Sequence, residues 1–175
     1  MKAYFTLLAQ YNQWMNEKIY RAAAQLNEQQ LKQDRGAFFT SILGTLNHNV
    51  VGDIIWLKRF ANHPEAKQVL QGVHVFPPPA TLDESLFTDL HTCQQARQKL
   101  DELIISLIDE LSDDALNRPL TYRNMKGQQA SKAFGLLLLH FFNHQTHHRG
   151  QLTTLFSQAG LDTGVTDLLA LIPSH

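Results

Sequence analysis

A pair of histidines one helical turn apart is the strongest chemical signal in the sequence. His144 and His148 lie in the segment 143–151, which reads NHQTHHRGQ and favours a helix. Residues four apart are neighbours on one face of a helix, so the two imidazoles can share one ion. Imidazole is the commonest protein ligand for borderline transition metals. Two ligands make an incomplete site, and His48, on another predicted helix, is the candidate for the third.

The two histidines interrupt the apolar face of this fourth predicted helix. That face follows helical spacing through Leu137, Phe141, His144, His148, Leu152 and Leu155. An imidazole buried without a partner costs about 1–3 kcal/mol, and a metal ion or a hydrogen-bond network would offset that cost. The pattern therefore favours a site, without deciding that the site holds a metal.

Spacing alone does not choose the partner of His144. His140 and His148 lie about 12 Å apart along the helix axis, too far for one ion with ligand bonds near ~2.1 Å. His144 can pair with His140, with His147 or with His148. Every remaining pair therefore contains His144.

Mostly small residues surround His48 on the second predicted helix. Within about 60° of its direction lie Ser41, Gly44, Thr45, Gly52 and Ile55. These residues leave space for a neighbouring helix, a ligand or both. The competing interpretation is close helix packing, with the imidazole of His48 bonded to a backbone carbonyl.

Three other polar residues each have two interpretations. Asp53 either orients His48 or acts as a base, or it forms an exposed salt bridge or a cap. Arg59, above His48 along the helix, either receives an anionic substrate or lies solvated at the surface. Asn12 interrupts the apolar face of the first helix, where it either faces the site or makes a tertiary hydrogen bond. The sequence assigns no general acid or base.

Helical periodicity predicts four long amphipathic helices. Their approximate bounds are Tyr4 to Leu26, Phe38 to Ala61, a third from the capping box at 81–84 to Leu111, and Ser131 to Ala159 with Gly160 as its stop. Residues 112–130 break the pattern and predict a short hairpin-like excursion around the turn 124–127. An apolar tail, 165–172, is expected to pack back onto the helices. The fold class is all-α: one domain, residues 1–175, forming a four-helix bundle with longer inter-helix connections and a short extra C-terminal segment.

Composition narrows the class of protein. With 175 residues and a formal net charge of −1, the chain has no bulk attraction to nucleic acid. No run of about 18 apolar residues predicts a membrane span, and the N-terminus does not resemble a signal peptide. Cys93 is the single cysteine and falls in the apolar face of the third helix. It is interpreted as a buried core thiol, and the absence of a disulfide framework fits the cytoplasm.

The chain resembles the DinB-like family of bacterial four-helix metalloenzymes nearly end to end. The segments that carry the resemblance are YNQW with Asn16 in the first helix, TLNH followed by Asp53, Trp56-Leu57 and Arg59-Phe60 in the second, FNHQTHHRGQ at 142–151, QAG at 158–160 and TDLL at 166–169. The fourth-helix segment is the most specific of these motifs.

The resemblance implies a three-histidine site for a divalent metal, nickel or zinc. Carried over by position, the ligands are His48, His144 and His148, which leaves His140 and His147 near the site or at the surface. Relatives in the wider family use a low-molecular-weight thiol for S-transfer to small electrophiles. The alternatives are a hydrolase that uses metal-bound hydroxide and a non-catalytic metal- or ligand-binding stress protein.

The resemblance also implies a homodimer and a small-molecule substrate. Neither a nucleic acid nor a membrane is expected as a partner. Because imidazole binds metal only when neutral, the ordinary pKa of histidine predicts that metal occupancy falls as the pH drops below about 6.

Overall fold

Helices dominate the structure, a computed structural model that describes residues 1–174. Its α-helices are α1 (Lys2–Ala23), α2 (Glu28–Lys32), α3 (Ile42–Phe60), α4 (Leu90–Glu110), α5 (Asp113–Asn117) and α6 (Phe134–Gln158). Two strands, β1 (Pro119–Arg123) and β2 (Gln129–Ala133), and two short 3₁₀ helices, Gln71–Val75 and Leu168–Leu171, complete the regular structure of these residues. The four predicted helices correspond to α1, α3, α4 and α6, whereas the short helices α2 and α5 were not predicted.

Apolar faces hold the long helices together. α1 and α3 each pack against both α4 and α6. The residues that fill the space between them include Met15, Ile54, Leu100 and Phe141, all at most 2% exposed. Each such side chain contributes about 1.5–3 kcal/mol through burial. Among the residues that the structure describes, no helix is long and apolar enough to cross a membrane.

A side-chain cap fixes the start of α3, and a glycine ends α6. The Ser41 hydroxyl accepts a hydrogen bond of 3.0 Å from the backbone N–H of Gly44, which fixes the start of α3. Gly160 follows α6 with φ of +77°, and the N–H of Leu161 bonds to the carbonyl of Phe156 at 2.9 Å. This is the glycine-terminated C-cap that the sequence predicted.

The predicted start of the third helix, at the capping box 81–84, is wrong. α4 begins at Leu90, capped by the Asp89 carboxylate, which accepts from the N–H of Thr92 at 2.9 Å. In the preceding loop, backbone groups instead form hydrogen bonds with a side chain of α3. The Asn47 amide bonds to both the N–H and the carbonyl of Phe87, at 2.8 and 2.9 Å. These tertiary hydrogen bonds hold the loop open where local sequence favoured a helix.

The excursion between α5 and α6 is an antiparallel hairpin, as predicted. β1 pairs with β2 in a register that places Thr121 opposite Ser131. The Asn124 carboxamide oxygen accepts from two N–H groups of the turn, and Gly127 adopts φ of +74°. The fold is therefore mostly helical, as predicted, with one small two-stranded sheet formed by this hairpin.

The C-terminal tail lies against α1 through polar rather than apolar contacts. The Tyr11 hydroxyl donates to the carbonyl of Thr166 at 2.6 Å. The apolar side chains of the tail largely face solvent, with Val165 58% exposed and Leu169 75% exposed. The tail therefore meets the helices as expected but leaves most of its apolar surface uncovered.

Cys93 lies in the core, as the sequence predicted. It is fully buried, its Sγ is 3.1 Å from the hydroxyl of Tyr20, and burial raises the pKa of its thiol to about 11. Only a thiolate attacks a disulfide reagent. At pH 8 we therefore expect a chromogenic aromatic disulfide to label the folded protein at least about 100-fold more slowly than the protein unfolded in guanidinium. Rapid stoichiometric labelling without unfolding would contradict a buried, protonated thiol.

Candidate metal centre

Three imidazoles from two helices converge on one point. His48 comes from α3, and His144 and His148 come from α6. The Nε2 atom of His48 lies 3.1 Å from Nε2 of His144 and 3.0 Å from Nε2 of His148. One nitrogen from each ring lies within 4.8 Å of the other two, so the three histidines could hold a metal ion. The structure thus brings together the three residues named from the sequence, while their role as ligands stays a prediction.

Hydrogen bonds to the outer ring nitrogens orient two of the imidazoles. The backbone carbonyl of Leu82 lies 2.7 Å from Nδ1 of His48, and the side-chain oxygen of Gln151 lies 2.7 Å from Nδ1 of His148. A carbonyl oxygen only accepts, so each Nδ1 carries the proton and each Nε2 presents a lone pair. The hydrogen bond from His48 to a backbone carbonyl, which the helix-packing interpretation predicted, is therefore present, and Nε2 of the same ring still offers a lone pair to the site. An oriented imidazole of this kind is typical of metal ligands.

The donor set fits a divalent metal. Two Nε2 lone pairs that face each other at 3.0 Å have no proton to share, so a cation between them relieves their repulsion. Tetrahedral zinc with bonds near ~2.1 Å needs ligand atoms about 3.4 Å apart, so the nitrogens have to separate by only about 0.3–0.4 Å. Rotation of the ring about a side-chain torsion provides such a movement.

Burial makes these imidazoles poor bases. It lowers the pKa of His144 to about 3, with the charges of His148 and His48 acting in the same direction. Burial likewise lowers the pKa of His148 to about 4, and the pKa of His48 is lowered for the same reason. The site therefore favours the neutral, metal-binding form of all three rings.

Phe39, which was not predicted as a site residue, closes one side of the cluster. Its ring stacks on His48 with centroids 3.8 Å apart and meets His148 edge-on at 5.5 Å. A tight turn before α3 places the ring there: the N–H of Arg35 bonds to the carbonyl of Thr40 at 2.8 Å, and Thr40 adopts φ of +61°. A β-branched residue in this left-handed region costs about 1–2 kcal/mol. No periodic pattern signals such a turn.

Gly52 provides the space that His144 occupies. A Cβ atom added at this position would lie 2.9 Å from Cε1 of His144. The small residues noted around His48 therefore admit a ring from the neighbouring helix. This observation supports the interpretation of that face as a site rather than as plain helix packing.

A buried polar network lies beside the imidazoles. Asp53 does not contact His48: it is fully buried and pairs with Arg97 of α4, with a distance of 2.5 Å from Oδ2 to Nη1. Arg97 also lies 3.1 Å from Asp101, whose carboxylate accepts from Asn12 at 3.1 Å. Neither the orienting role nor the exposed salt bridge considered for Asp53 describes this arrangement. The tertiary hydrogen bond considered for Asn12 is present.

The two residues of α6 in this network are sequence neighbours of the ligand candidates His144 and His148. Gln145 donates to Asp53, and Arg149 donates to Asn12. Arg97 and Asp101, which support the site, were not predicted from the sequence. A signal was available, because the spacing of four places Arg97 and Asp101 on the same side of the helix as the apolar face around Cys93.

The other two histidines of α6 lie outside the cluster, at the surface. His147 is exposed, and His140 lies at the surface with its ring 5.2 Å from that of Trp56. Arg59 is half-buried, which differs from the solvated role considered for it. Neither His140 nor His147 belongs to the group of three that could hold an ion.

These features define a class: a mostly helical protein with three convergent imidazoles between two of its helices. The model of the DinB family matches residues 1–174, so the chain belongs to the DinB family. The chain is 27% identical over 169 residues to Protein DinB of Bacillus subtilis (strain 168), covering 91% of this chain and 88% of that relative. No solved structure matches the chain. The resemblance drawn from the sequence motifs is confirmed.

The lowered pKa values predict metal retention at a lower pH than ordinary histidines would allow. Protons compete with metal only below the pKa of the folded protein's imidazoles, which lies near 3 for His144 and near 4 for His148. We expect zinc loaded at pH 7.5 to remain bound at pH 5, as measured by release to a chromogenic chelator at constant ionic strength. Half-release near pH 6 would show instead that the rings titrate like free histidine.

Substitution of Gly52 should weaken metal binding without unfolding the protein. In Gly52→Ala the new Cβ displaces His144, so we expect zinc affinity to fall about 10-fold or more. Alanine favours a helix over glycine by up to about 1 kcal/mol, which limits the loss of stability.

The matched control for this substitution is Gly150→Ala on α6. A Cβ added there has nothing within 4 Å, so zinc affinity should not change. Competition with a zinc chelator, run beside thermal unfolding, separates the two effects. Equal affinities in the two variants would show that Gly52 does not position His144.

Proposed function

We propose that this protein binds a divalent transition metal, nickel or zinc, at His48, His144 and His148 and activates a low-molecular-weight thiol for S-transfer to a small electrophile. The observation that carries the proposal is the convergence of three imidazoles beside a cavity of about 520 Å³: Nε2 of His48 lies 3.1 Å from Nε2 of His144 and 3.0 Å from Nε2 of His148. His48 and His144 both line this cavity. A ligand in it therefore reaches the metal-binding nitrogens.

The ligand count supports catalysis rather than a structural role. Three neutral imidazoles leave the charge of a divalent ion uncompensated and at least one coordination position open. When bound, such a metal supplies Lewis acidity that lowers the pKa of a thiol or of water. The chain's own contribution is orientation, through the bonds of Leu82 and Gln151 to the ring nitrogens, and exclusion of water from one side by Phe39.

The cavity lining favours a thiol over water as the nucleophile. Zinc hydrolases commonly place a carboxylate beside the ion as a general base. Among the described residues, the lining of this cavity contains neither aspartate nor glutamate. A thiol is a much stronger acid than water, with an ordinary pKa of about 8.5, so it needs no such base. Thiol transfer is therefore the first choice, and hydrolysis the alternative.

We also propose the helix arrangement, the cellular compartment, the oligomeric state and the partners of the protein. A four-helix bundle is supported by the packing of α1 and α3 against both α4 and α6. A reducing compartment, the cytoplasm, is supported by the single buried thiol of Cys93. A homodimer is supported by the exposed apolar side chains of the tail, such as Leu169. The expected partners are small molecules, with neither a nucleic acid nor a membrane among them.

Metal content and thiol dependence together test the function. We expect nickel- or zinc-loaded protein to hold about one ion per chain and to couple cysteine to a chromogenic aryl halide only when metal and thiol are both present. His144→Ala should lose the ion and at least about 100-fold of the rate, because it removes one of three ligands. The matched control, His147→Ala, changes an exposed neighbour and should keep both.

The other outcomes identify the alternatives. Metal-dependent cleavage of an activated ester without thiol would indicate a hydrolase. A bound ion with neither activity would indicate a metal- or ligand-binding protein. No ion after reconstitution would reduce the three histidines to hydrogen-bonding residues and overturn the proposal.

A further inference from the structure

We propose that the cavity beside the imidazoles selects an elongated anionic substrate, whose carboxylate binds Arg59 while its reactive end lies at His48 and His144. The inference rests on the proposed function only in assigning chemistry to the imidazole end. The recognition of an anion at the other end follows from the walls of the cavity and can be tested without a metal.

The lining of this cavity has an unbalanced charge. It contains two cationic side chains, Arg59 and Lys126, and no carboxylate among the described residues. Asp83 is adjacent in sequence to the lining residue Leu82, but it lines a different cavity. The chain as a whole carries a formal charge of −1, so the positive lining is a local property of this cavity. A cleft of one sign attracts a ligand of the opposite sign.

Arg59 is held in place without an acceptor. Its guanidinium carbon lies 4.7 Å from the ring centroid of Trp56 and 5.3 Å from that of Tyr122. Arg59 is half-buried, so its charge is partly removed from water, and this burial lowers the pKa of the guanidinium. No hydrogen bond or ion pair within residues 1–174 involves its side chain. By contrast, the deeply buried Arg97 donates to Asp53, and Arg149 donates to Asn12.

A partly desolvated guanidinium with free N–H groups is suited to a carboxylate. The planar donors match the two oxygens in a bidentate pair, and stacking on aromatic rings fixes their direction before the ligand arrives. An anion in the cavity restores hydrogen bonds that the protein itself does not provide. Lys126, at the exposed hairpin turn, adds a second positive charge at the rim.

Helix geometry sets the length of the ligand. Arg59 follows His48 by eleven residues, about 16 Å along the axis of α3. Its guanidinium lies over the ring of Trp56, a residue that follows His48 by eight positions, about 12 Å along the helix axis. The lining of the same cavity includes the apolar or aromatic side chains of Ile55, Trp56, Tyr122 and Met125. A substrate with an apolar middle section and a terminal carboxylate fits this sequence of surfaces.

The experiment compares two probes that differ only in the terminal group. Ligand-detected NMR titrations with 4-phenylbutyrate and 4-phenylbutan-1-ol are run on zinc-loaded and on metal-stripped full-length protein. We expect the carboxylate to bind at least about fivefold more tightly than the alcohol in both forms. Arg59→Gln should remove this preference and leave the affinity for the alcohol unchanged, which shows that the cavity is intact. Arg59→Lys should restore part of it.

Lys58→Gln is the matched control. It removes the same charge one residue away on α3, at a side chain that does not line the cavity. This variant should keep the preference for the carboxylate. Equal loss in Lys58→Gln and Arg59→Gln would indicate bulk electrostatics and overturn the inference.

The remaining outcomes separate this inference from the proposed function. A preference that appears only with zinc and survives in Arg59→Gln would mean that the carboxylate binds the metal, against the inference. Equal binding of both probes, or binding of neither, would also overturn it. If the protein fails to load zinc, the proposed function fails, whereas the metal-stripped titration still decides whether Arg59 recognises the anion.

Discussion

The ion pair between Arg97 and Asp53 fixes how the long helices lie against one another. Arg97 also lies 3.1 Å from Asp101. The side-chain amide of Asn16, on α1, donates a hydrogen bond of 2.9 Å to the same Asp101 carboxylate. Removing one partner of a buried pair costs about 3–5 kcal/mol, because the other charge is left uncompensated. Apolar side chains tolerate a small slide of one helix along another, but charge-assisted hydrogen bonds do not. The network therefore selects one register among several that would bury similar apolar area.

The same register creates the imidazole cluster. On α3, Asp53 directly follows Gly52, the residue that leaves space for the ring of His144. On α6, Gln145 directly follows His144 and donates a hydrogen bond to Asp53. The contact that aligns α3 with α6 is therefore one residue from His144 on α6 and one residue from Gly52, the position that admits the His144 ring, on α3. Preorganisation of this kind keeps three neutral rings together even though their lone pairs repel. It also explains the low basicity of the rings, since the packing that aligns them removes them from water.

Sequence patterns predicted what depends on local spacing. The i, i+4 pair of His144 and His148, the C-cap at Gly160 and the hairpin turn at 124–127 are all set by residues close together in the chain. The start of α4 and the position of Phe39 were not predictable in this way. Asn47 bonds to the backbone of Phe87, forty residues away, and these tertiary contacts override the local helix signal at 81–84. Asp53 was similarly misjudged, because its partner Arg97 lies on another helix.

Different parts of the chain build the two ends of the cavity. The imidazole end depends on the helical core, where the buried ion pairs allow little movement. The opposite end combines Arg59 of α3 with the hairpin, whose Tyr122 packs against Trp56 with ring centroids 5.4 Å apart. Strand pairing, this aromatic contact and the buried Leu120 hold the hairpin, whereas turn residues such as Lys126 are exposed and can differ without disturbing the register of the helices. In the function that we propose, metal binding and substrate selection are therefore physically separable, although one cavity would serve both.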